Sequence, residues 1–348
     1  MNFIDNIEIK NFKSIRYQKI EGCKKINVFI GYPNVGKSNI LESIGLYSFT
    51  QYYNNENPSL KSLCRFNHLS DLNFDKDIKN SIHVGINKRY ELFFEKKHST
   101  SYFELGIASV DFNKARTFFS FDAYNNVEIP ILNPLKKYDV DDKTVYSIKY
   151  YTFDKNAHFD KIKSPSLSIP SGDNLLDILK GNSDLRKEYS ELLKINNLKL
   201  NISDNDIAIA KDLTDGTYVS FKHNLVSDTL RRLFFYKAAI ETNKNSVLLF
   251  EEPEANMFPP YISKFTSDII NDENKNQFFL TTHSPFVLND LIDNVEKDEL
   301  AVYIVSYEKE TGETLVHRMN DTDIHEAYQF GYDFFMNIDQ FIPHKQHG

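Results

Sequence analysis

The sequence predicts an α/β fold with a mixed central sheet, an antiparallel β subdomain and a helical lobe. Three observations point to this fold class. A strand-like run, a glycine-containing loop and a helical pattern follow one another within residues 26–47. Residues 81–153 carry short runs in which apolar and polar side chains alternate, as they do in antiparallel strands. From residue 227 onward helical and strand-like segments alternate, which is typical of a largely parallel sheet.

The loop at residues 31–38 gives the most informative local pattern. Its sequence, GYPNVGKS, matches G-x-x-x-x-G-K-[ST] and lies between an apolar run at 26–30 and a helical pattern at 40–47. Glycines permit backbone angles at which successive N–H groups converge on phosphate oxygens at a helix N-terminus. The pattern predicts a phosphate-binding loop; the alternative is a glycine-rich turn with a surface lysine.

Individual residues of this loop have separate predicted roles. Lys37 would reach the β- and γ-phosphates of a nucleoside triphosphate, and the Ser38 hydroxyl would ligate Mg²⁺. The predicted nucleotide-binding residues in and directly after the loop are Asn34, Val35, Gly36, Lys37, Ser38 and Asn39.

Two carboxylates late in the chain complete the predicted chemistry. Glu251 and Glu252 directly follow the apolar run 247–250, and ligands bind at the carboxyl ends of strands in open α/β sheets. Hydrolysis of a phosphoanhydride requires an acid on the magnesium side and a group that activates water. We therefore predict that Glu251 holds Mg²⁺, directly or through water, and that Glu252 orients or deprotonates the attacking water. The alternative is a solvated acidic loop after a core strand.

A histidine follows another apolar run. His283 lies just beyond residues 278–280, in the sequence FFLTTHSP. A neutral imidazole at the end of a parallel strand could hydrogen-bond the γ-phosphate or the attacking water. The alternative is a histidine that only caps a loop.

Length, composition and charge limit the class of protein. The chain has 348 residues, 41% hydrophobic content and a net charge of −8, which indicate an ordered globular protein. No run approaches the roughly eighteen apolar residues of a membrane span, so we expect a cytoplasmic protein with no membrane partner. The acidic balance does not indicate a nucleic-acid partner, although it does not exclude a local basic face. Cys23 and Cys64 are too far apart to support a disulfide framework or a zinc site.

Several further elements are predicted along the chain. Before the phosphate loop we expect a strand, a turn and a second strand. Asp173 is the predicted cap of a helix, and a second helix follows through residues 189–193. The dipeptide at 215–216 predicts a hairpin turn, a later hairpin is expected at 302–316, and residues 323–341 are predicted to form a closing helix.

Four motifs in this order resemble one family. They are the segments KNFKS at 10–14, the loop at 31–38, LLFEEPE at 248–254 and TTHSP at 281–285. Together they are similar to ABC-type ATPases of the SMC-like and OLD-like group, often labelled AAA-family ATPases of the AAA15 and AAA21 types and found in prokaryotic defence loci. The resemblance covers the first fifty residues and roughly residues 225–310.

The resemblance implies a fold and a set of roles. It implies a single ABC-type ATPase domain over 1–348, with a phosphate-loop part at 1–50, an antiparallel β subdomain at 51–160, a helical and hairpin insertion at 161–226, and a C-terminal part at 227–348. It places Asn11 and Lys13 beside the nucleotide, and it makes Glu251 the magnesium-side acid, Glu252 the catalytic acid and His283 the switch histidine. Residues 254–256 would match the loop that crosses to a second subunit.

The resemblance also implies that a helix N-terminus of one subunit meets the γ-phosphate of another. The candidate is the segment Ser227, Asp228 and Thr229, where Ser227 could cap the helix and donate across the interface. Family members usually carry a glycine beside that serine, whereas Asp228 brings a carboxylate near the triphosphate. An ordinary capped core helix is the alternative. No glutamine-loop equivalent is evident; Gln51 comes early, and the segment 65–75 is the candidate replacement.

The sequence therefore predicts an ATPase that converts ATP to ADP and phosphate with Mg²⁺. Closing and opening of a homodimer or higher homo-oligomer would be the output, and a separate effector protein in antiviral defence would respond to it. Two alternatives come from other classes. One is an SMC-like DNA-maintenance ATPase that binds DNA, and the other is a nucleotide-sensing scaffold with little turnover.

Overall fold

The computed structural model divides the chain into two compact units. The first comprises Met1–Tyr150, Ser246–Glu251 and Gln277–Gly348, and the second comprises Tyr151–Asn245 and Glu252–Asn276. The structure describes residues 4–54, 59–96, 102–109, 114–122, 129–132, 145, 147–156, 159–160 and 164–342.

The strands are numbered in chain order. They are β1 (Asn6–Phe12), β2 (Ile15–Glu21), β3 (Ile26–Ile30), β4 (Ile82–Ile86), β5 (Tyr90–Lys96), β6 (Tyr102–Ser109), β7 (Lys114–Asp122), β8 (Ile129–Leu132), β9 (Ile148–Tyr151), β10 (Lys199–Ile202), β11 (Ile207–Asp212), β12 (Tyr218–Lys222), β13 (Val247–Glu251), β14 (Gln277–Thr281), β15 (Leu300–Tyr307) and β16 (Thr314–Arg318). The α-helices are α1 (Lys37–Gly45), α2 (Leu175–Gly181), α3 (Ser183–Lys194), α4 (Asp228–Thr242), α5 (Pro259–Ile270), α6 (Pro285–Asn294) and α7 (Asp321–Gln329).

A six-stranded mixed sheet forms the centre of the first unit. Its order is β16-β15-β3-β14-β13-β9, with parallel pairing from β15 to β13 and an antiparallel β16 at one edge. All five residues of β3 are buried, and Phe29 stacks on Tyr303 with ring centroids 5.0 Å apart. Burial on both faces explains the continuous apolar runs that the sequence shows for β3, β13 and β14.

The second sheet of the first unit is antiparallel, in the order β2-β1-β4-β5-β6-β7-β8. Antiparallel strands are therefore confirmed for the described residues between 82 and 132, but the predicted run at 145–150 forms β9 at the edge of the six-stranded sheet instead. Two strands were predicted before the phosphate loop, whereas the structure has three, β1, β2 and β3. Asn11 and Lys13 both have left-handed φ angles, of 57° and 49°, and the turn they form divides the first run into β1 and β2.

In the described residues of the second unit, helices α2 to α5 accompany the three-stranded sheet β10-β11-β12. The predicted hairpin turn is confirmed, because Asp212 pairs with Tyr218 and Gly216 adopts φ 83° between them. The helix through residues 189–193 is also confirmed as part of α3. The predicted cap Asp173 is wrong: α2 begins at Leu175 with Asn174 at its N-cap position.

The C-terminal part contains the predicted hairpin, formed by β15 and β16. The predicted closing helix is too long, since α7 ends at Gln329 and only a short 3-10 turn, Ile338–Phe341, follows. Gly331 stops the helix by adopting φ 76° and donating its N–H to the Tyr328 carbonyl, 2.9 Å away. Among the described residues, none of the helices combines the length and apolar character needed to cross a membrane.

Candidate nucleotide-binding site

The phosphate loop joins β3 to α1 within the first unit. Gly36 occupies the N-cap position of α1 with φ 100° and ψ 14°, and Asn34 is also left-handed, with φ 62°. The first N–H groups of a helix lack partners within that helix and carry its positive dipole end. This is the backbone arrangement that binds a phosphate anion.

A buried threonine from the far end of the sequence packs behind this loop. Thr314 donates its hydroxyl to the Val35 carbonyl at 2.9 Å and lies 2.6 Å from the Ser14 hydroxyl. A Cβ added at Gly36 would lie only 2.0 Å from Thr314 Oγ1, so that position accepts no side chain. Asn39 donates its side-chain amide N–H to the Ser14 hydroxyl at 2.7 Å. The contact of Asn39 with a nucleotide stays a prediction.

Lys37 lies inside the loop. Its side chain is 5% exposed, and Nζ donates to the carbonyls of Gly31 and Tyr32 at 3.0 and 2.8 Å. Ser38, the second residue of α1, is partly buried. These two hydrogen bonds hold the Lys37 ammonium group against the backbone of the loop.

Three parallel strands bring the other predicted groups of the first unit to the same edge of the sheet. Phe29 of β3 pairs with Thr281 of β14, which in turn pairs with Glu251 of β13. Helix α1 packs against β13 and β14. His283 follows β14 after one intervening residue and is exposed. The phosphate loop, Glu251 and His283 therefore share the carboxyl edge of one sheet.

Both carboxylate oxygens of Glu251 have partners. Oε1 accepts from Nη2 of Arg65 at 2.8 Å, and Oε2 accepts from the Tyr150 hydroxyl at 2.7 Å. Burial raises the pKa of Tyr150 well above its ordinary value, and the Glu251 charge raises it further. The hydroxyl therefore keeps its proton and acts as the donor.

A second carboxylate lies beneath this pair. Glu42 is 1% exposed and accepts from Nε of Arg65 at 3.0 Å, and Lys13 forms an ion pair with its other oxygen. Lys13 also donates to the Arg65 carbonyl at 2.8 Å. A buried carboxylate needs such partners to remain charged. Asn11, which was also predicted beside the nucleotide, donates its amide to the Ser81 carbonyl at 3.0 Å.

Glu252 directly follows Glu251 in the chain and is the first residue of a stretch of the second unit. Its φ of 41° is unusual for a residue with a side chain. Strained backbone of this kind is often found at functional positions. Within the second unit, the Thr229 hydroxyl donates to the Asn256 carbonyl at 2.9 Å, which ties the start of α4 to the loop 254–256.

The N-terminus of α4 matches the prediction in its local structure. Ser227 caps the helix and accepts from the Leu230 N–H at 3.5 Å, so the predicted cap is confirmed. Asp228 forms an ion pair with Arg231, with 3.4 Å between the charged atoms. This ion pair would partly offset the predicted conflict between the Asp228 carboxylate and a triphosphate.

The residues present fit a magnesium ion. Mg²⁺ prefers oxygen ligands, and Ser38 and Glu251 offer a hydroxyl and a carboxylate beside the phosphate loop. The Arg65 guanidinium at Oε1 of Glu251 shows that this oxygen already accepts a cationic partner.

Four residues of this region were not identified from the sequence as part of the site: Glu42, Tyr150, Thr314 and Ser14. Arg65 lay within the segment proposed to replace a glutamine loop, but no single residue of that segment was selected. No sequence signal marks Glu42, because it lies on the opposite side of the predicted helix from Ile40, Ile44 and Tyr47.

A family model described as "AAA domain, putative AbiEii toxin, Type IV TA system" matches residues 26–289. The chain belongs to this family of AAA domains. The match includes the phosphate loop, Glu251, Glu252 and His283, so the family resemblance stated from the motifs is confirmed.

Solved structures show the fold of this AAA domain. An Smc head bound to the C-winged helix domain of ScpA is 16% identical, with a TM-score of 0.51, and the alignment covers 91% of this chain and 98% of that one. An Smc head domain with an extended coiled coil, bound to the C-terminal domain of ScpA and derived from Pyrococcus furiosus, is 15% identical, with a TM-score of 0.50 and coverage of 95% and 99%. The predicted fold class, an ABC-type ATPase head, is confirmed.

Curated relatives of this AAA domain match over short segments. The DNA replication and repair protein RecF of Thermoanaerobacter sp. (strain X514) is 46% identical over 46 residues, which are 13% of each chain. An ATP/GTP phosphatase of Helicobacter pylori (strain ATCC 700392 / 26695) is 46% identical over 41 residues, 12% of this chain and 11% of that protein.

We predict that Gly36→Ala weakens ATP binding by about tenfold or more, because the new Cβ and Thr314 cannot both keep their positions. Gly312→Ala is the matched control: Gly312 also has a positive φ, 70°, but no atom lies within 4 Å of an added Cβ. The measurement is ATP affinity by calorimetry for both variants. Equal affinities in the two variants would show that the packing behind the loop is irrelevant to binding.

Proposed function

We propose that this AAA domain binds ATP with Mg²⁺ and hydrolyses it to ADP and phosphate. The observation that carries the proposal is the shared edge of the sheet, where the phosphate loop, Glu251 and His283 meet. One relative is named as an ATP/GTP phosphatase, which supports the reaction class. We also propose that residues 1–348 act as a single ATPase domain with the segment boundaries given above.

In this proposal each residue of the loop acts on a stated part of the ligand. The N–H groups of Asn34, Val35 and Gly36 bind phosphate oxygens, while Asn11, Lys13 and Asn39 lie beside the nucleotide. Lys37 leaves the carbonyls of residues 31–32 and donates to the β- and γ-phosphates.

The metal would be held by residues that the site already provides. Ser38 supplies a hydroxyl and Glu251 a carboxylate for Mg²⁺, which neutralises charge on the β- and γ-phosphate oxygens when it is bound. Glu252 accepts the proton of the attacking water or orients it. His283 hydrogen-bonds the γ-phosphate or that water as a neutral imidazole.

Assembly of two or more copies is the second part of the proposal. The N-terminus of α4, with Ser227, Asp228 and Thr229, faces the γ-phosphate held by another copy, and the loop 254–256 that Thr229 anchors lies beside it. ATP shifts the equilibrium toward the closed homodimer or higher homo-oligomer because it contacts both copies only in that state.

We further propose that closure controls a separate effector protein in antiviral defence in the cytoplasm. The family description refers to a toxin and a toxin–antitoxin system, and the Smc heads of similar fold are bound to a partner protein, which supports an output through protein contacts. The competing function is SMC-like DNA maintenance, favoured by the name of the RecF relatives. ATP-dependent retention on duplex DNA, with a steep dependence on salt, would identify it.

We predict that Lys37→Ala abolishes ATP binding or turnover while the fold is retained, because it removes the charge that binds the β- and γ-phosphates. The control is Lys19→Ala, which removes an exposed lysine paired with Glu21 on β2. ATP affinity, phosphate release and the circular dichroism spectrum are measured for both. Wild-type ATP affinity in Lys37→Ala would refute the placement of the nucleotide.

We predict that Glu252→Gln loses phosphate release and accumulates a closed dimer in the presence of ATP, since the amide cannot accept the proton of water. The control is Glu310→Gln, which changes an exposed carboxylate in the turn between β15 and β16. Phosphate release and mass by light scattering give the two readouts. Unchanged phosphate release in Glu252→Gln would instead indicate a nucleotide-sensing scaffold with little turnover.

A further inference from the structure

The two oxygens of Glu251 have partners of different kinds. Oε1 accepts from Arg65, whose side chain is 69% exposed, and Oε2 accepts from Tyr150, which is only 2% exposed. One partner is therefore a largely exposed cation, and the other is a buried group of the core. The partner of Oε1 is therefore more accessible to a competing cation than the partner of Oε2.

The contact at Oε1 is exchangeable. The Arg65 side of this ion pair is 69% exposed and the Glu251 side 15%, so a cation that enters from solvent competes with Arg65 for Oε1. Arg65 does not have to leave the site, because its Nε donates separately to the buried carboxylate of Glu42 at 3.0 Å. Lys13 pairs with the same carboxylate and keeps it neutralised throughout. A cation can therefore replace the Arg65 guanidinium without leaving a buried charge unpaired.

The contact at Oε2 is fixed. Tyr150 lies on β9, next to β13 in the sheet, and its own N–H donates to the Ser48 hydroxyl at 3.0 Å. Its ring packs against Gly45 so closely that a Cβ there would lie 3.2 Å from the ring. The hydroxyl therefore has one position, and that position determines which way the Glu251 carboxylate faces.

We propose that Tyr150 is a positioning residue for the magnesium site, and that Oε1 is the oxygen of Glu251 that would face the metal. Tyr150 holds Oε2, so the carboxylate presents Oε1 to a cation, which is Arg65 in this structure and Mg²⁺ when the nucleotide is bound. This inference rests on the proposed Mg²⁺–ATP site. A hydrogen bond to one carboxylate oxygen fixes the orientation of the whole carboxylate. Outer-shell hydrogen-bond partners orient the ligands of other metal sites in the same way.

The test is direct metal binding to Tyr150→Phe. Mn²⁺ serves as the probe, and free Mn²⁺ is measured by electron paramagnetic resonance in the presence of saturating ADP. We expect Mn²⁺ affinity about tenfold weaker than in the wild type, within the range typical for loss of an outer-shell partner. Nucleotide affinity measured in EDTA stays unchanged, and high Mg²⁺ restores turnover.

Tyr151→Phe is the matched control. Tyr151 is the next residue, is fully buried, and donates to the Leu167 carbonyl at 2.7 Å within the second unit. Its loss leaves buried polar groups unpaired and lowers stability, but we expect wild-type Mn²⁺ affinity. Wild-type Mn²⁺ affinity in Tyr150→Phe would overturn the proposal, as would an equal loss in both variants. If the wild type binds no nucleotide with Mn²⁺, the proposed function itself fails.

Arg65→Gln tests the exchange in the opposite direction. The variant removes the cation that competes for Oε1, and Lys13 remains as the partner of Glu42. We expect tighter Mn²⁺ binding with ADP, by roughly two- to fivefold, because the cation that competes for Oε1 is gone. Weaker Mn²⁺ binding in Arg65→Gln would show that Arg65 supports the metal rather than competing with it, and would overturn the exchange.

Discussion

Parallel hydrogen bonding between β3, β14 and β13 is the constraint on which the rest of the site depends. Phe29 pairs with Thr281 and Thr281 with Glu251, so three strands from distant parts of the sequence end at one edge. A shift of one residue would turn the Glu251 side chain to the other face of the sheet. The apolar residues of these strands are fully buried, and their packing holds this register. The polar site thus gets its geometry from the hydrophobic core.

Charge balance is the second organising factor. Two carboxylates, Glu42 and Glu251, lie close to a loop that has to attract an anion, and each is paired with a cation or a hydroxyl donor. Arg65 links the two carboxylates through different nitrogens, which places one largely exposed cation between a buried and a more accessible acid. The positive charges of Lys13 and Arg65 therefore offset the negative charges of the two acids beside the loop.

Sequence patterns predicted the parts of this site that depend on neighbouring residues. The strand, loop and helix at 26–45, the position of Glu251 at a strand end and the Ser227 cap all follow from local periodicity and capping preferences. The contacts of Tyr150 with Glu251 and of Thr314 with Val35 join residues 101 and 279 positions apart. Such contacts depend on which strands pair, and no local pattern carries that information. Capping preference alone could not separate Asp173 from Asn174, because both residue types cap helices equally well.

A crystal structure with Mg²⁺ and a non-hydrolysable ATP analogue tests the central claim most directly. The account predicts that the triphosphate binds the N–H groups of residues 34–38, that Mg²⁺ contacts Ser38 and Oε1 of Glu251, and that Arg65 has moved off that oxygen. The hydrogen bond from Tyr150 to Oε2 would remain. A nucleotide bound elsewhere, or a magnesium ion without contact to Glu251, would contradict the account.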